Sequence, residues 1–245
     1  MLDLSSLNFQ TGALLLVDKP QGYTSFDVVN KLRYRLRKLT GVKKIKVGHS
    51  GTLDPMATGL LVIATGKFTK QLTELTGLPK QYTGTIRFGE STPSYDAETE
   101  VDQHLPTGHI TSAMLQSVIA EQFSGAIEQQ PPVYSAIKVD GQRAYKSARA
   151  GKAVELPSRE VLVSRFDITR YVEPEAEFVV DCSKGTYIRS LAHDLGVAVD
   201  SRAHLVALRR TLIGKYSIDD ANTLDEFTQS LDQLLEQAGH ERPSY

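Results

Sequence analysis

The chain has 245 residues, 40% of them apolar and 23% charged, with a formal net charge of -1. This composition is that of an ordinary globular protein and excludes a disordered or fibrous chain, while the length allows one large domain or a domain with a small appendage. No apolar run approaches the roughly 18 residues of a membrane span, and no basic, then apolar, leader opens the chain. Cys182 is the single cysteine, which excludes an internal disulfide and a thiolate metal cluster. A cytoplasmic protein without membrane association is expected.

In chain order, residues 12–17 read as a buried strand, closed by the loop signature Lys19-Pro20-Gln21-Gly22. Ser25 is placed to cap a helix whose apolar positions Val28, Val29, Leu32, Leu36 and Leu39 recur at helical spacing, and Gly41 is its stop. Residues 46–55 form a polar, glycine-punctuated loop before a short strand over 60–64. Residues 82–88 alternate, with Tyr82, Ile86 and Phe88 in phase. Thr111 or Ser112 caps a helix through Phe123. Residues 133–139, 160–171 and 177–182 read as strands. Thr186 caps a helix with the stripe Ile188, Leu191, Ala192 and Leu195, and a strand over 204–212 and a helix over 224–235 follow. Strands and helices mix without regular βαβ alternation, so the expected class is α+β, in one compact domain over residues 1–245.

The small net charge hides a segregation. Residues 28–53 hold eight basic side chains and no Asp or Glu, whereas residues 90–102 hold five acids and residues 216–245 hold seven acids against Arg242 alone. Setting the basic block aside leaves 20 basic residues against 29 acidic ones. A positive patch on an acidic body suits a polyanion gripped at one place, since neutralised phosphates release counterions. It equally suits a solvated helix face.

No GxGxxG, Walker, GxSxG or HExxH pattern occurs, and the six histidines lack metal-ligand spacing. The informative stretch is Gly48-His49-Ser50-Gly51-Thr52-Leu53-Asp54-Pro55-Met56-Ala57-Thr58-Gly59. Its glycines permit tight turns and Pro55 holds Asp54 extended, so the carboxylate sits on a shaped loop. The basic block directly before it favours the ionised form that a nucleophile or general base needs. Read alone, Asp-Pro also serves simply to start a turn. Arg189 falls in the first turn of its helix, where a cation opposes the helix dipole by ~0.3–1 kcal/mol, and it lies off the apolar stripe. A carboxylate or phosphate partner would explain an Arg there, as would plain exposure. Tyr82 is in phase with core residues, so packing is its first reading and base stacking its second.

The 48–59 stretch closely resembles the signature of the TruB family of tRNA pseudouridine synthases, in which this loop carries the essential aspartate. Five further blocks resemble family motifs in the family's order. They are Asp18-Lys19-Pro20-Gln21-Gly22-Tyr23-Thr24-Ser25, Lys80-Gln81-Tyr82, the Pro131-Pro132-Val133-Tyr134-Ser135-Ala136-Ile137-Lys138 segment, Cys182-Ser183-Lys184-Gly185-Thr186-Tyr187-Ile188-Arg189 and Leu208-Arg209-Arg210.

The resemblance implies a mixed, largely antiparallel sheet flanked by helices, the pseudouridine synthase fold. It implies isomerisation of the position 55 uridine in the TΨC arm of tRNA, with no cofactor and no metal. The partner would be the T stem-loop of tRNA, with no protein partner required and a monomeric enzyme. By motif, Asp54 would be the catalytic carboxylate, as nucleophile or base, Arg189 its ion-pair partner and Tyr82 the residue stacked on the flipped base. Tyr187 and Leu208 would line the same pocket, and His49 would fill the space near the vacated stack. On charge grounds, Lys19, Lys43, Lys44 and Lys46 are candidate phosphate contacts. Residues 216–245 read as an acidic helical extension, too short for the PUA domain that many members append, so weaker and more salt-sensitive tRNA binding is expected. The other readings are a guide-RNA-dependent synthase of the same superfamily and a non-catalytic tRNA-folding chaperone. A hydrolase built on His49 and Asp54 lacks a nucleophile and an oxyanion arrangement.

Overall fold

The computed structural model of the protein describes residues 2–135, 138–139, 142–143 and 156–240. They group into two compact units, one built from the segments up to Leu78 and from Arg209 onward, the other from Pro79–Leu208. The elements run β1 (Leu14–Lys19), α1 (Ser25–Thr40), β2 (Val47–His49), β3 (Thr58–Thr65), α2 (Leu72–Gly77), β4 (Lys80–Phe88), β5 (Glu90–Ser91), β6 (Gln103–His104), α3 (Ser112–Gln122) and β7 (Gly125–Gln129). They continue with β8 (Lys138–Val139), β9 (Gln142–Arg143), β10 (Arg159–Val172), β11 (Glu175–Cys182), α4 (Ile188–Ala198), β12 (Ala203–Ile213), β13 (Tyr216–Ser217), β14 (Asn222–Thr223) and α5 (Leu224–His240). The class is mixed α+β with largely antiparallel pairing, as expected from the sequence. Among the described residues no helix is long and apolar enough to cross a membrane.

In the first unit β3 is the central strand. It pairs antiparallel with β1 (Val17 opposite Leu61) and with β2 (His49 opposite Ile63), and parallel with the end of β12 (Arg210 opposite Gly59). Seven of its eight residues are buried, because both of its faces are covered. On one face Leu15, Val17, Leu61 and Ile63 pack with Val28, Val29, Leu32 and Leu36 of α1 and with Leu224, Phe227 and Leu231 of α5. On the other, Leu60 and Val62 pack with Leu75 and Ile213. The stretch after Tyr216 is woven into this unit, since β14 pairs with β1 and α5 closes the core.

Helix α1 is capped by Thr24 rather than by Ser25. Thr24 and Asp27 form a reciprocal capping box, and Gly41 ends the helix in a left-handed conformation at φ 69°. The loop expected over 46–55 contains the strand β2, and the strand expected to end at residue 17 runs on through Lys19.

In the second unit β4, β11, β10 and β7 form an antiparallel meander, with Tyr82 opposite Val180, Phe178 opposite Ile168 and Val161 opposite Ile127. Helix α3, capped by Thr111, packs on β10. Helix α4 starts after Tyr187, whereas Thr186 spends its hydroxyl on the Ser183 carbonyl. Of the strand expected over 133–139, residues 133–135 form a bend, residues 136–137 lie outside the described residues and Lys138–Val139 is a two-residue strand. Cys182 is buried and its thiol is pushed up to about 11 by desolvation, which keeps it protonated and unreactive.

Candidate active site

The Asp54 loop is held along its whole length within the first unit. The Ser50 amide donates to the Val62 carbonyl at 3.0 Å, the Gly22 amide donates to the Pro55 carbonyl at 2.8 Å, and the Ala57 amide closes a turn on the Asp54 carbonyl at 3.1 Å. Ser25, buried at the start of α1, accepts from the Leu53 amide at 2.8 Å and donates to the Leu53 carbonyl at 3.2 Å. Arg210, 1% exposed, donates to the Leu60 carbonyl at 2.8 Å and the Gly51 carbonyl at 3.2 Å. Two glycines make the path feasible. Gly51 sits at φ 101°, and at Gly59, φ 103°, a Cβ would stand 2.3 Å from the Arg210 carbonyl oxygen. Asp54 itself is half-buried on this framework.

Lys19 corrects a sequence expectation. Expected from the sequence to contact phosphate, it is fully buried, with its ammonium donating to the carbonyls of Pro20 at 2.9 Å, Tyr23 at 2.7 Å and Pro55 at 3.5 Å. Its phase on β1 is that of Leu15 and Val17, so the alternation of the strand turns it inward. Burial pushes its pKa down to about 8, while the Asp54 carboxylate favours the charged form. Lys19 is thus a fixed cation beneath the Asp54 loop. His49, half-buried on β2, is held below its ordinary pKa by burial and by the charge of Arg210, which favours the neutral imidazole.

Lys43, Lys44 and Lys46 stand exposed after α1. The structure divides the basic block into two groups. Lys31 and Arg35 face α5, at 3.8 Å from Asp225 and 2.9 Å from Asp232, so the acidic C-terminal helix neutralises one flank of α1. Among the described residues Lys43, Lys44 and Lys46 have no carboxylate partner. Lys44 and Lys46 border, with Lys67 and Lys70, a pocket of about 300 Å³.

Tyr82, Tyr187, Arg189 and Leu208 belong to the second unit. Tyr82 is buried with Ile86 and Phe88, in the phase expected. Arg189 is 4% exposed, which removes the reading of a plain surface Arg. It donates to the carbonyls of Ser94 and Tyr134 at 3.0 Å and lies 3.4 Å from the fully buried Asp96 carboxylate. Tyr187, at the start of α4, is bracketed by Gln129, which accepts from the Tyr187 amide at 2.7 Å and donates to its carbonyl at 3.0 Å. The Arg159 guanidinium lies 4.6 Å from the Tyr187 ring centroid. Leu208 is buried on β12.

Asp96 and its turn were not singled out from the sequence. The Ser94 hydroxyl and the Glu98 amide donate to one Asp96 oxygen, which turns the other toward Arg189. Tyr95 between them is left-handed at φ 62°, a strained conformation for such a side chain. Its ring is stacked on His193, with centroids 3.9 Å apart and planes at 20°. The only sequence signal was an acidic run, in which Asp96 looks like any solvated carboxylate. Among the described residues no group of three His, Cys, Asp or Glu side chains is placed to hold a metal ion.

Residues 37–188 match the N-terminal domain of the TruB family of pseudouridylate synthases, and residues 189–241 match the C-terminal domain of tRNA pseudouridylate synthase B. The chain belongs to the TruB family. It is therefore a pseudouridylate synthase, an isomerase. A Flavobacterium johnsoniae protein named tRNA pseudouridine synthase B is 53% identical to this TruB protein, over 90% of this chain and 96% of its own length. An Arthrobacter protein of the same name is 47% identical over 90% of this chain and 72% of its own. Among solved structures, a chain of a Cbf5-Nop10-Gar1 complex matches 94% of this chain at 26% identity and a TM-score of 0.68, and the TruB chain spans 57% of that chain.

Proposed function

We propose that this TruB enzyme converts the position 55 uridine in the TΨC arm of tRNA to pseudouridine, with Asp54 as the catalytic carboxylate. The observation that carries the reading is the Asp54 loop, braced by Ser25 and Arg210 over the buried ammonium of Lys19. The near end-to-end match to relatives named for tRNA supports the substrate.

The chemistry requires a base inside a folded loop to leave its stack before it can react. The bond from the ribose to the uracil nitrogen then breaks, the ring turns and a carbon–carbon bond replaces it; the carbon loses a proton and the nitrogen gains one. Nothing is added, so binding, orientation and one carboxylate account for the reaction. A carboxylate preset beside a fixed cation stays ionised and costs no reorganisation when charge develops. Arg189, held by Asp96, is the proposed counter-charge for Asp54. Tyr82 is the stacking partner of the flipped base, Tyr187 and Leu208 form its apolar wall, and His49 takes the vacated space. Lys43, Lys44 and Lys46 contact phosphates, and recognition follows the shape of the loop.

The test is incubation of the purified protein alone with an unmodified tRNA transcript, followed by pseudouridine mapping, with Asp54→Asn as control. Modification confined to the T-loop uridine, absent in Asp54→Asn while tRNA binding persists, is expected. Absence of product on naked tRNA would refute the standalone reading.

A further inference from the structure

The outward side of α1 carries a pattern that the catalytic reading does not use. Residues 26, 30, 33, 34, 37 and 38 recur at the spacing of one helical face, away from the buried Val28, Val29, Leu32 and Leu36. Phe26 and Tyr34 on that face are each 58% exposed. Each ring is backed by a cation, with Arg33 at 5.7 Å from the Phe26 centroid and the Lys38 ammonium at 4.4 Å from that of Tyr34. Arg33 is further held by Asn30 and by the Val47 carbonyl. Among the described residues no carboxylate pairs with Arg33, Arg37 or Lys38, in contrast to Lys31 and Arg35 on the flank toward α5. The one acid of the helix, Asp27, is tied into the Thr24 cap.

The position of this face relative to the Asp54 loop gives it direction. Ser25, next to Phe26, is bonded to Leu53, the neighbour of Asp54. At about 1.5 Å per residue, Lys38 lies roughly 20 Å farther along the helix. The face therefore forms a track leading away from the reacting carboxylate. Cations alone would suit any polyanion, but exposed rings interleaved with them suit nucleobases, each of which offers a flat π-face.

We propose that this face of α1 binds a single-stranded segment of the substrate RNA flanking the reacting nucleotide, with unpaired bases stacked on Phe26 and Tyr34 and phosphates on Arg33, Arg37 and Lys38. The inference rests on the reading that the substrate is RNA. Three double variants test it: Phe26→Ala with Tyr34→Ala, Phe26→Tyr with Tyr34→Phe, and Arg37→Gln with Lys38→Gln. Affinity for an unmodified tRNA transcript is measured across a salt series, and pseudouridine formation at saturating RNA. The alanine pair is expected to weaken binding at least about tenfold with an unchanged salt slope, and the aromatic exchange to bind as wild type. The glutamine pair is expected to reduce the salt slope by about two. All three should keep the wild-type melting temperature and saturated rate. An alanine pair with wild-type affinity refutes the stacking, and an unchanged slope for the glutamine pair refutes the phosphate track. Affinity is read without turnover, so a wild-type protein that binds the transcript but forms no pseudouridine overturns the parent reading separately.

Discussion

Removing the Ser25 hydroxyl tests whether the bracing of the Asp54 loop matters to catalysis. In Ser25→Ala the Leu53 amide and carbonyl both lose a partner within a site where Ser25 is 1% and Leu53 3% exposed. An orphaned buried amide costs about 1–3 kcal/mol and a lost neutral bond about 1 kcal/mol more, so a destabilisation of about 2–4 kcal/mol is expected. For a chain of this size that lowers the melting temperature by about 5–10 °C. The larger effect should be kinetic, because Leu53 immediately precedes Asp54 and a misplacement of about 1 Å at a reacting group costs on the order of a hundredfold. Single-turnover pseudouridine formation at 25 °C, well below the melting transition, should fall by about ten- to a hundredfold with tRNA affinity near wild type. A variant that melts earlier but turns over at the wild-type rate would refute the argument that Ser25 positions Asp54. Unchanged melting would refute the energetic value assigned to the two bonds.

Gly59→Ala sets a side chain 2.3 Å from the Arg210 carbonyl oxygen at φ 103° and should cost at least about 3 kcal/mol, seen as a collapse in melting temperature. Gly51→Ala, with a similar φ but its nearest neighbour at 3.8 Å, should lose only about 1–2 kcal/mol; equal losses would show that close backbone approach is not the cause. Asp96→Asn removes the carboxylate 3.4 Å from Arg189 and should cost about 3 kcal/mol and most of the turnover, with tRNA affinity retained. A wild-type rate would separate Asp96 from catalysis. For Lys19, between its folded value of about 8 and its ordinary 10.5 the unfolded chain holds a proton that the folded chain has released. Its contribution to stability therefore rises with pH across that window. Melting followed from pH 7 to 10 checks this, with Lys19→Met expected to flatten the rise.

Local spacing was enough to read α1, α3, α4 and the alternation of β4, because a buried helical stripe and an in-phase strand are properties of neighbouring residues. It was not enough to choose between Thr24 and Ser25 as the cap of α1. Both carry a hydroxyl, and what decides is that the hydroxyl of Ser25 is taken by Leu53, 28 residues away. The strand β2 hid in a glycine-rich stretch because its pairing with β3 is a long-range event. The burial of Lys19 was written in its phase with Leu15 and Val17, but its charge argued for solvent, and the carbonyls of Pro20, Tyr23 and Pro55 are what make an inward ammonium tolerable.

The functional residues divide in the same way. The Asp54 motif and the isolated basic block were legible because residue type and spacing carry them. The sequence by itself determined the family, the carboxylate on its shaped loop and a cationic helix. Tertiary structure decided which cations α5 neutralises, leaving Arg37, Lys38 and the lysines after α1 without carboxylate partners among the described residues. It also decided that Arg189 is buried against Asp96 rather than exposed. The physical reason is that periodicity and turn chemistry act within a few residues, whereas a charge takes its meaning from the partner that distant chain segments bring to it.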